Sequence, residues 1–409
     1  MCVEEIARFA KIKGLNLVGT GDFTHPKWIK ELGESLVLEP EESLYKLKKD
    51  AVSRVHFMVT TEVSTIFTYE NEAKKVHHVI LTPNLETATQ INDRLARYGD
   101  LASDGRPTLS MNAAHLVEEV MQASSENMVF PAHAWTPWFS LFGAFSGFDS
   151  IEECYQDMTR HIYALETGLS SDPPMNWRLS KLDRFVLVSN SDSHSFWPWR
   201  IGREANVFEL ERPSYGEVIE AIRLKDRNRF KFTIETDPAY GKYHWTGHRN
   251  CNVSLSPRGA EKLGNICPVC RRKLTKGVEQ RVGELADRPA GFRPESAIGF
   301  VHLLPLSEII ATVLGVDSPS VQKVWSVYNP LVERFGDEYS VLIDASKDAL
   351  SAVAGDEVAE AIVRVRDEKA KVLPGYDGVY GQLIIFPEQV RDKDLPKRVQ
   401  QMNLTDFTS

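Results

Sequence analysis

The sequence predicts an α/β protein with a small cysteine-bearing module and a mainly helical end, and three features carry that reading. From residue 15 to about 235, short β-branched runs alternate with amphipathic stretches, the pattern of a mainly parallel sheet, open or closed into a barrel. A basic segment holding three cysteines follows, and beyond about residue 296 the apolar residues recur at helical spacing. A chain of 409 residues exceeds one typical domain and fits two or three. The expected units are 1–235, 236–295 and 296–390, with a tail at 391–409.

Taken in order, the strand candidates are "LNLVG", "VHFMVTT", "HVILT", "MVFPA", "IYALE" and "FVLVS". Helical segments such as "LETATQINDRLARYG" and "AAHLVEEVMQAS" lie between several of them. A composition break at "ETDPAYGKYHWTGHRN" ends the alternation. The later helical patterns are "LPLSEIIATVLG", "SVQKVWSVYNPLVERFG" and "DEVAEAIVRVRDEK", followed by the turn-rich "LPGYDGVYGQLIIF". No apolar run approaches the roughly 18 residues a membrane span needs. The opening "MCVEEIARFAKIKG" is acidic and amphipathic, unlike a signal peptide, so a cytoplasmic protein is expected.

A net charge of −9 argues against a globally basic nucleic-acid binder. The average hides a reversal: residues 241–294 carry eleven Lys or Arg against four Asp or Glu. One region is therefore suited to a polyanion while the rest serves another purpose.

Polar residues collect at the ends of the apolar runs: Asp22 after "LNLVGTG", Glu62 after "VHFMVTT", His133 after "MVFPA", and Asp192 and His194 after "FVLVSNS". One such residue is usually a cap or turn. Five on four strands point to a site at the C-terminal edge of a sheet, built from the side-chain types that hold Zn²⁺, Mn²⁺ or Fe²⁺. The set "TGD…TTEVS…HHVIL…PAH…SDSH" resembles the polymerase and histidinol phosphatase (PHP) superfamily. That resemblance implies a distorted seven-stranded (β/α) barrel holding two or three divalent metals, Zn, Mn or Mg. Matched motif by motif, it adds His78 to Asp22, Glu62, His133, Asp192 and His194 as metal ligands, with His77 able to exchange roles with His78. The superfamily opens on a strand carrying Asp-x-His-x-His. This sequence begins in what reads as the following helix, so a start further upstream or an incomplete metal site is expected.

The second constellation is His248-x2-Cys251-x15-Cys267-x2-Cys270. Two paired-ligand knuckles at this spacing suit a tetrahedral structural zinc. His244 is an alternative fourth ligand. The adjoining Arg271, Arg272 and Lys273 read as phosphate contacts.

A PHP-like unit followed by "YHWTGHRNCNVSLSP…NICPVC" and a helical region resembles the endonuclease Q family of DNA-repair nucleases. The match extends to "SDSHSFWPWRIGREAN", "ELADRP" and "PGYDGVYG". It implies cleavage of single- or double-stranded DNA 5′ to a deaminated base (hypoxanthine, uracil, xanthine) or an abasic site. Asp192 would bridge metals, with His194 and His133 sharing its ion, and Arg200 and Arg203 would clamp phosphate. A damaged base must leave the stack to be read. Trp135, Trp138, Phe139, Phe142, Phe196, Trp197 and Trp199 are the aromatic candidates for receiving it. The tail residues Gln401, Leu404 and Phe407 match a peptide that binds the sliding clamp PCNA. Two rival readings are a phosphatase acting on a small ester and a non-catalytic scaffold that binds DNA and the clamp.

Overall fold

The structure is a computed structural model and describes residues 2–50, 54–103 and 105–386. The clamp peptide expected at 401–407 lies outside the described residues. In chain order the first unit contains α1 (Val3–Lys13), β1 (Leu17–Gly19), α2 (Pro26–Ser35), β2 (Leu36–Glu39), β3 (Leu44–Leu47), β4 (His56–Tyr69), β5 (Glu72–Thr82) and α3 (Leu85–Leu95). Next come β6 (Thr108–Leu109), α4 (Ala113–Ala123), β7 (Met128–Pro131), α5 (Ile151–Tyr155), β8 (Ala164–Glu166), α6 (Pro173–Asn176), β9 (Val186–Val188), β10 (Ala205–Phe208), α7 (Tyr215–Arg223) and β11 (Phe230–Glu235). Side-chain oxygens cap several helices: Asn84, Asn112 and Ser214 each accept from a backbone N–H three residues on, starting α3, α4 and α7.

Strands β1 to β7 form one seven-stranded sheet with β4 at its centre. The expectation of a mainly parallel sheet needs correction. β4 and β5 are a long antiparallel hairpin, paired from Val59↔Thr82 to Tyr69↔Glu72. Its turn is Glu70–Asn71, with φ +49° and +66°, and two left-handed residues make the tight turn that antiparallel strands favour. A two-residue link is too short for a parallel crossover. β1 and β6 lie parallel to β4, while β3 and β7 run antiparallel to their partners. The bridge Val129↔Ile162 leads from β7 towards the parallel pair β8–β9, and β10 and β11 belong to a further sheet. Among the described residues no strand pairing closes these sheets into the expected barrel.

The later elements are β12 (Thr246–His248), β13 (Val253–Leu255), α8 (Pro257–Lys262), α9 (Val278–Leu285), β14 (Gly299–His302), α10 (Leu306–Val313), α11 (Gln322–Phe335), α12 (Lys347–Ala354), α13 (Asp356–Arg366), β15 (Lys371–Leu373) and β16 (Gln382–Ile384). β14 pairs in parallel with β11, so the chain returns to the β10–β11 sheet, making it three-stranded, before the helices begin at Leu306. Helices α10 to α13 enclose their own core, including Leu306, Ile309, Ile310, Tyr328, Leu331, Leu350 and Ile362. The cysteine-bearing module has only Val253, Leu255, Ala260, Cys267 and Leu274 as buried core. A cluster that small does not hold a module together without a further staple. No helix among the described residues is long and apolar enough to cross a membrane.

Candidate metal centres and the nucleic-acid-facing site

β4 and β5 set the first cluster by their register. Glu62 lies opposite Val79 and His77 opposite Ser64, so Glu62 and His77 are diagonal neighbours on one face. His77 Nδ1 comes 3.0 Å from Glu62 Oε1. His133, just past β7, brings Nε2 to 3.3 Å from the same oxygen and 3.1 Å from His77 Nδ1. The candidate ligand atoms of these three residues all lie within 4.8 Å of one another.

His78 sits on the opposite face, because successive strand residues point to opposite sides. It is not at the start of its strand, as the resemblance implied, but in the middle of β5. Its Nε2 meets the Thr65 hydroxyl at 2.9 Å and its Nδ1 the Tyr155 hydroxyl at 2.8 Å. Burial pushes its pKa down to about 3. The structure therefore places His77, not His78, beside Glu62 and His133.

Asp22, His133 and Asp192 share a backbone peculiarity, with φ of +47°, +29° and +42°. Left-handed geometry at a non-glycine residue costs about 1–3 kcal/mol and is kept where surroundings enforce it. At His133 the enforcement is visible. Its N–H donates to Glu166 Oε2 at 2.6 Å, and its Nδ1 lies 3.0 Å from the Thr136 hydroxyl. Across from it Gly168 (φ +59°) leaves no room for a β-carbon, which would fall 2.7 Å from His133 Cβ.

Asp192 completes the cluster through an arginine that sequence reasoning missed. Arg106 sets Nε 2.7 Å from Glu62 Oε1 and donates from Nη2 to Asp192 Oδ1 at 3.0 Å. No local pattern marks Arg106, which follows Gly105 in a polar loop. Glu166 was missed too, although it ends β8 and so obeys the strand-end rule that found its neighbours. His194 is open to solvent, with Nδ1 3.7 Å from Asp192 Oδ1. Asp22 lies within electrostatic reach: burial raises its pKa, as does the charge of Glu62, while His194 and Arg106 draw it down.

The other charges are consistent with a held anionic centre. Burial opposes the charge of Glu62, but hydrogen bonds from His133 and His77 and the charges of His133 and Arg106 hold its carboxyl well below the usual range. Burial lowers His77 and pushes Glu166 up to about 7. Burial opposes the imidazolium of His133 as well, yet its contact with Glu62 raises its pKa.

The predicted phosphate clamps divide. Arg203 donates from Nε to the Ser191 carbonyl at 2.9 Å and from Nη2 to the Asp192 carbonyl at 3.4 Å, so it braces the loop instead of facing outward. Arg200 is half-buried nearby, whereas Arg271, Arg272 and Lys273 are exposed. Among the aromatic candidates Trp135 and Phe142 are core, their rings 4.6 Å apart. Phe139 packs on His77 at 5.0 Å. Trp138 and Trp197 stay exposed, at 41% and 39%.

In the second centre His248, Cys251, Cys267 and Cys270 converge, all four candidate ligand atoms within 4.8 Å of one another. Cys270 Sγ lies 3.3 Å from His248 Nδ1. His244 is not among the four. Three thiols and an imidazole at this separation fit a tetrahedral zinc.

A solved structure of the lesion-specific endonuclease PfuEndoQ from Pyrococcus furiosus matches with a TM-score of 0.83 at 34% identity, covering 97% of this chain and 94% of that one. The chain belongs to the endonuclease Q family. A second endonuclease Q structure, in complex with a 27-mer duplex carrying an abasic lesion at the active site, matches equally well, at 33% identity over 97% of this chain and 95% of that one. The family model of the MJ0043 C-terminal domain matches residues 305–369, the helices α10 to α13. Uncharacterized protein YqxK of Bacillus subtilis is 28% identical over 91% of this chain and 89% of its own length. Uncharacterized protein MJ0043 of Methanocaldococcus jannaschii is 33% identical over 63% of this chain, and the match spans about a third of that protein, 32%.

Proposed function

We propose that this endonuclease Q family member is a metal-dependent DNA-repair endonuclease that cuts the phosphodiester 5′ to a deaminated base or an abasic site. The convergence of Glu62 and His77 from the middle of the β4–β5 hairpin with His133 and Asp192 from loops past β7 and β9 carries the reading; Glu62 does not end its strand as the sequence suggested, because β4 continues to Tyr69. The abasic duplex bound by a relative of the same fold supports the lesion class. Glu62, His77 and His133 would hold a divalent metal, the two imidazoles from buried positions. Asp192, a partly exposed carboxylate tied to Glu62 through Arg106, would contribute beside them, with Asp22 and His194 at the margin. When bound, such metals lower the pKa of a water and neutralise charge on the phosphate.

The chain's own residues set the geometry. Exposure rises from Glu62 (18%) through Asp192 (30%) to His194 (71%), so the buried members fix the centre while the exposed ones meet the substrate. The left-handed turn at Asp192, braced by Arg203, aims that carboxylate into the cluster. The Cys3His centre is assigned a structural zinc that folds the basic module, and Arg271, Arg272 and Lys273 supply phosphate contacts without reading sequence. The tail peptide around Gln401, Leu404 and Phe407 is assigned to the sliding clamp.

One observation favours the rival reading of a non-catalytic DNA-binding scaffold: Arg106 already neutralises both Glu62 and Asp192. A nicking assay separates the two. The expected result is a single cut 5′ to an abasic site or hypoxanthine in a 5′-labelled duplex, with Mg²⁺, Mn²⁺ or Zn²⁺ present. Asp192→Ala is expected to lose at least about a thousandfold in rate, as metal-bridging groups do. Lesion-specific binding with no cut under any of the three metals would overturn the enzyme and leave the scaffold.

A further inference from the structure

Lys13 and Glu338 form an ion pair of a rare kind. Nζ and Oε1 are 2.6 Å apart with the side chains 1% and 0% exposed, one at the end of α1 and the other just after α11. Two charges out of water are costly unless every remaining hydrogen-bonding position is filled, and apolar replacements of the same volume are often as stable. Here most of the positions are filled. Glu338 accepts from the Leu306 N–H at 2.9 Å and from the Tyr328 hydroxyl at 2.7 Å. Lys13 gives a further hydrogen bond to the Pro198 carbonyl at 2.8 Å.

Pro198 belongs to the loop that leaves Asp192 and His194, and a second tie reaches it four residues later. The Tyr339 hydroxyl donates to the Gly202 carbonyl at 2.6 Å. Gly202 is left-handed (φ +63°), and a β-carbon there would lie 2.7 Å from Lys13 Cγ and 3.0 Å from the Tyr339 hydroxyl oxygen. From Gly202 the contacts run straight to the site. Its N–H donates to Ser191 Oγ at 2.8 Å, and the adjacent Arg203 holds the carbonyls of Ser191 and Asp192. Trp325 of α11 also packs on Trp197 and Trp199, at 6.1 and 6.0 Å between ring centres.

We propose that the helical C-terminal unit positions the loop carrying Asp192 and His194. It acts through Glu338 and Lys13 on Pro198 and through Tyr339 on Gly202. These are positioning residues, remote from the reacting atoms. Their purpose is to hold Asp192 in its left-handed turn, since a misplacement of about 1 Å at a reacting group can cost about a hundredfold in rate.

Tyr339→Phe removes one hydroxyl and no volume. The pair Lys13→Met with Glu338→Leu removes the buried charges together. The first readout is backbone amide hydrogen exchange, which does not depend on activity. Exchange over 189–203 is expected to quicken about tenfold, the worth of roughly one buried hydrogen bond, with the helices of 306–366 still protected. The second readout rests on the endonuclease reading: kcat on an abasic duplex falls about tenfold while KM and DNA affinity hold. Unchanged exchange over 189–203 in folded Tyr339→Phe protein would overturn the proposal. Should the double variant fail to fold, Tyr339→Phe decides alone. Should the wild-type chain not nick DNA, the endonuclease reading fails, and the exchange result still decides the positioning role.

Discussion

The two candidate metal centres are built in opposite ways. The Cys3His ligands lie within 23 residues of chain, from 248 to 270, around a core of five buried residues. Glu62, His77, His133 and Asp192 come from two strands and two loops spread over 131 residues, set against the largest core cluster among the described residues. A short-range site can be recognised from spacing but has little core to keep its shape without metal. A long-range site keeps its shape without metal, but spacing along the chain does not reveal it. Metal removal should therefore unfold one centre and leave the other standing.

The largest test of this contrast is Cys267→Ser, or a strong chelator, against the wild type. Binding energies for structural zinc in small fingers run to about 10–16 kcal/mol, and that energy is folding energy. The module is expected to lose its metal and its amide protection over 246–275. The cluster around Glu62 should keep its protection, and lesion-DNA affinity should fall at least about tenfold. Loss of order in both regions at once would break the comparison.

The next test sharpens the long-range site by choosing between adjacent histidines. His77→Ala is expected to weaken divalent-metal binding at the centre around Glu62 about 10- to 100-fold, with a small change in Tm. His78→Ala should do the reverse. It leaves the Thr65 and Tyr155 hydroxyls without their buried partner, costing about 1–3 kcal/mol of stability, with metal affinity unchanged. Equilibrium dialysis with Mn²⁺ and a thermal melt read both.

Arg106 supplies a smaller and opposite effect. Its guanidinium competes for Glu62 and Asp192, so Arg106→Met should raise divalent-metal affinity about tenfold, the worth of one charge-assisted hydrogen bond. Calorimetric titration of metal into both proteins checks it, and weaker binding by the variant would show that Arg106 supports the ligands instead.

The smallest effect concerns the polar interior behind the site. Burial pushes Glu235 up to about 8, against hydrogen bonds from Thr233 and Thr167 at 2.5 and 2.8 Å. The native carboxyl thus stays protonated where the unfolded one, with a pKa near 4.5, has ionised. This contribution to stability is fully present below about pH 4.5 and is lost as pH rises through about 8. Urea unfolding midpoints measured from pH 6 to 8.5 should decline, and Glu235→Gln should flatten the decline. An identical slope in the variant would mean that Glu235 is not the titrating group.

Sequence by itself determined what is local in this protein. The α/β alternation, the helical end from Leu306 and the grouping of His248 with three cysteines are each set by residue types within one turn, strand or knuckle. The polar residues just past β7 and β9, His133 and Asp192, were also visible, because side-chain chemistry is short-range, whereas Glu62 fell inside β4 because the hairpin extends that strand to Tyr69. Tertiary structure alone decided the rest. The register of β4 against β5 chose His77 over His78, since a shift of one residue would exchange the two faces of the strand. It also turned an expected parallel pair into a hairpin, through two left-handed residues that propensity does not announce. Arg106 reaches Glu62 and Asp192, and Lys13 reaches Glu338, across 44, 86 and 325 residues of chain. Such pairs depend on the packing of whole elements, and no pattern along the chain records which distant loop or helix the packing delivers.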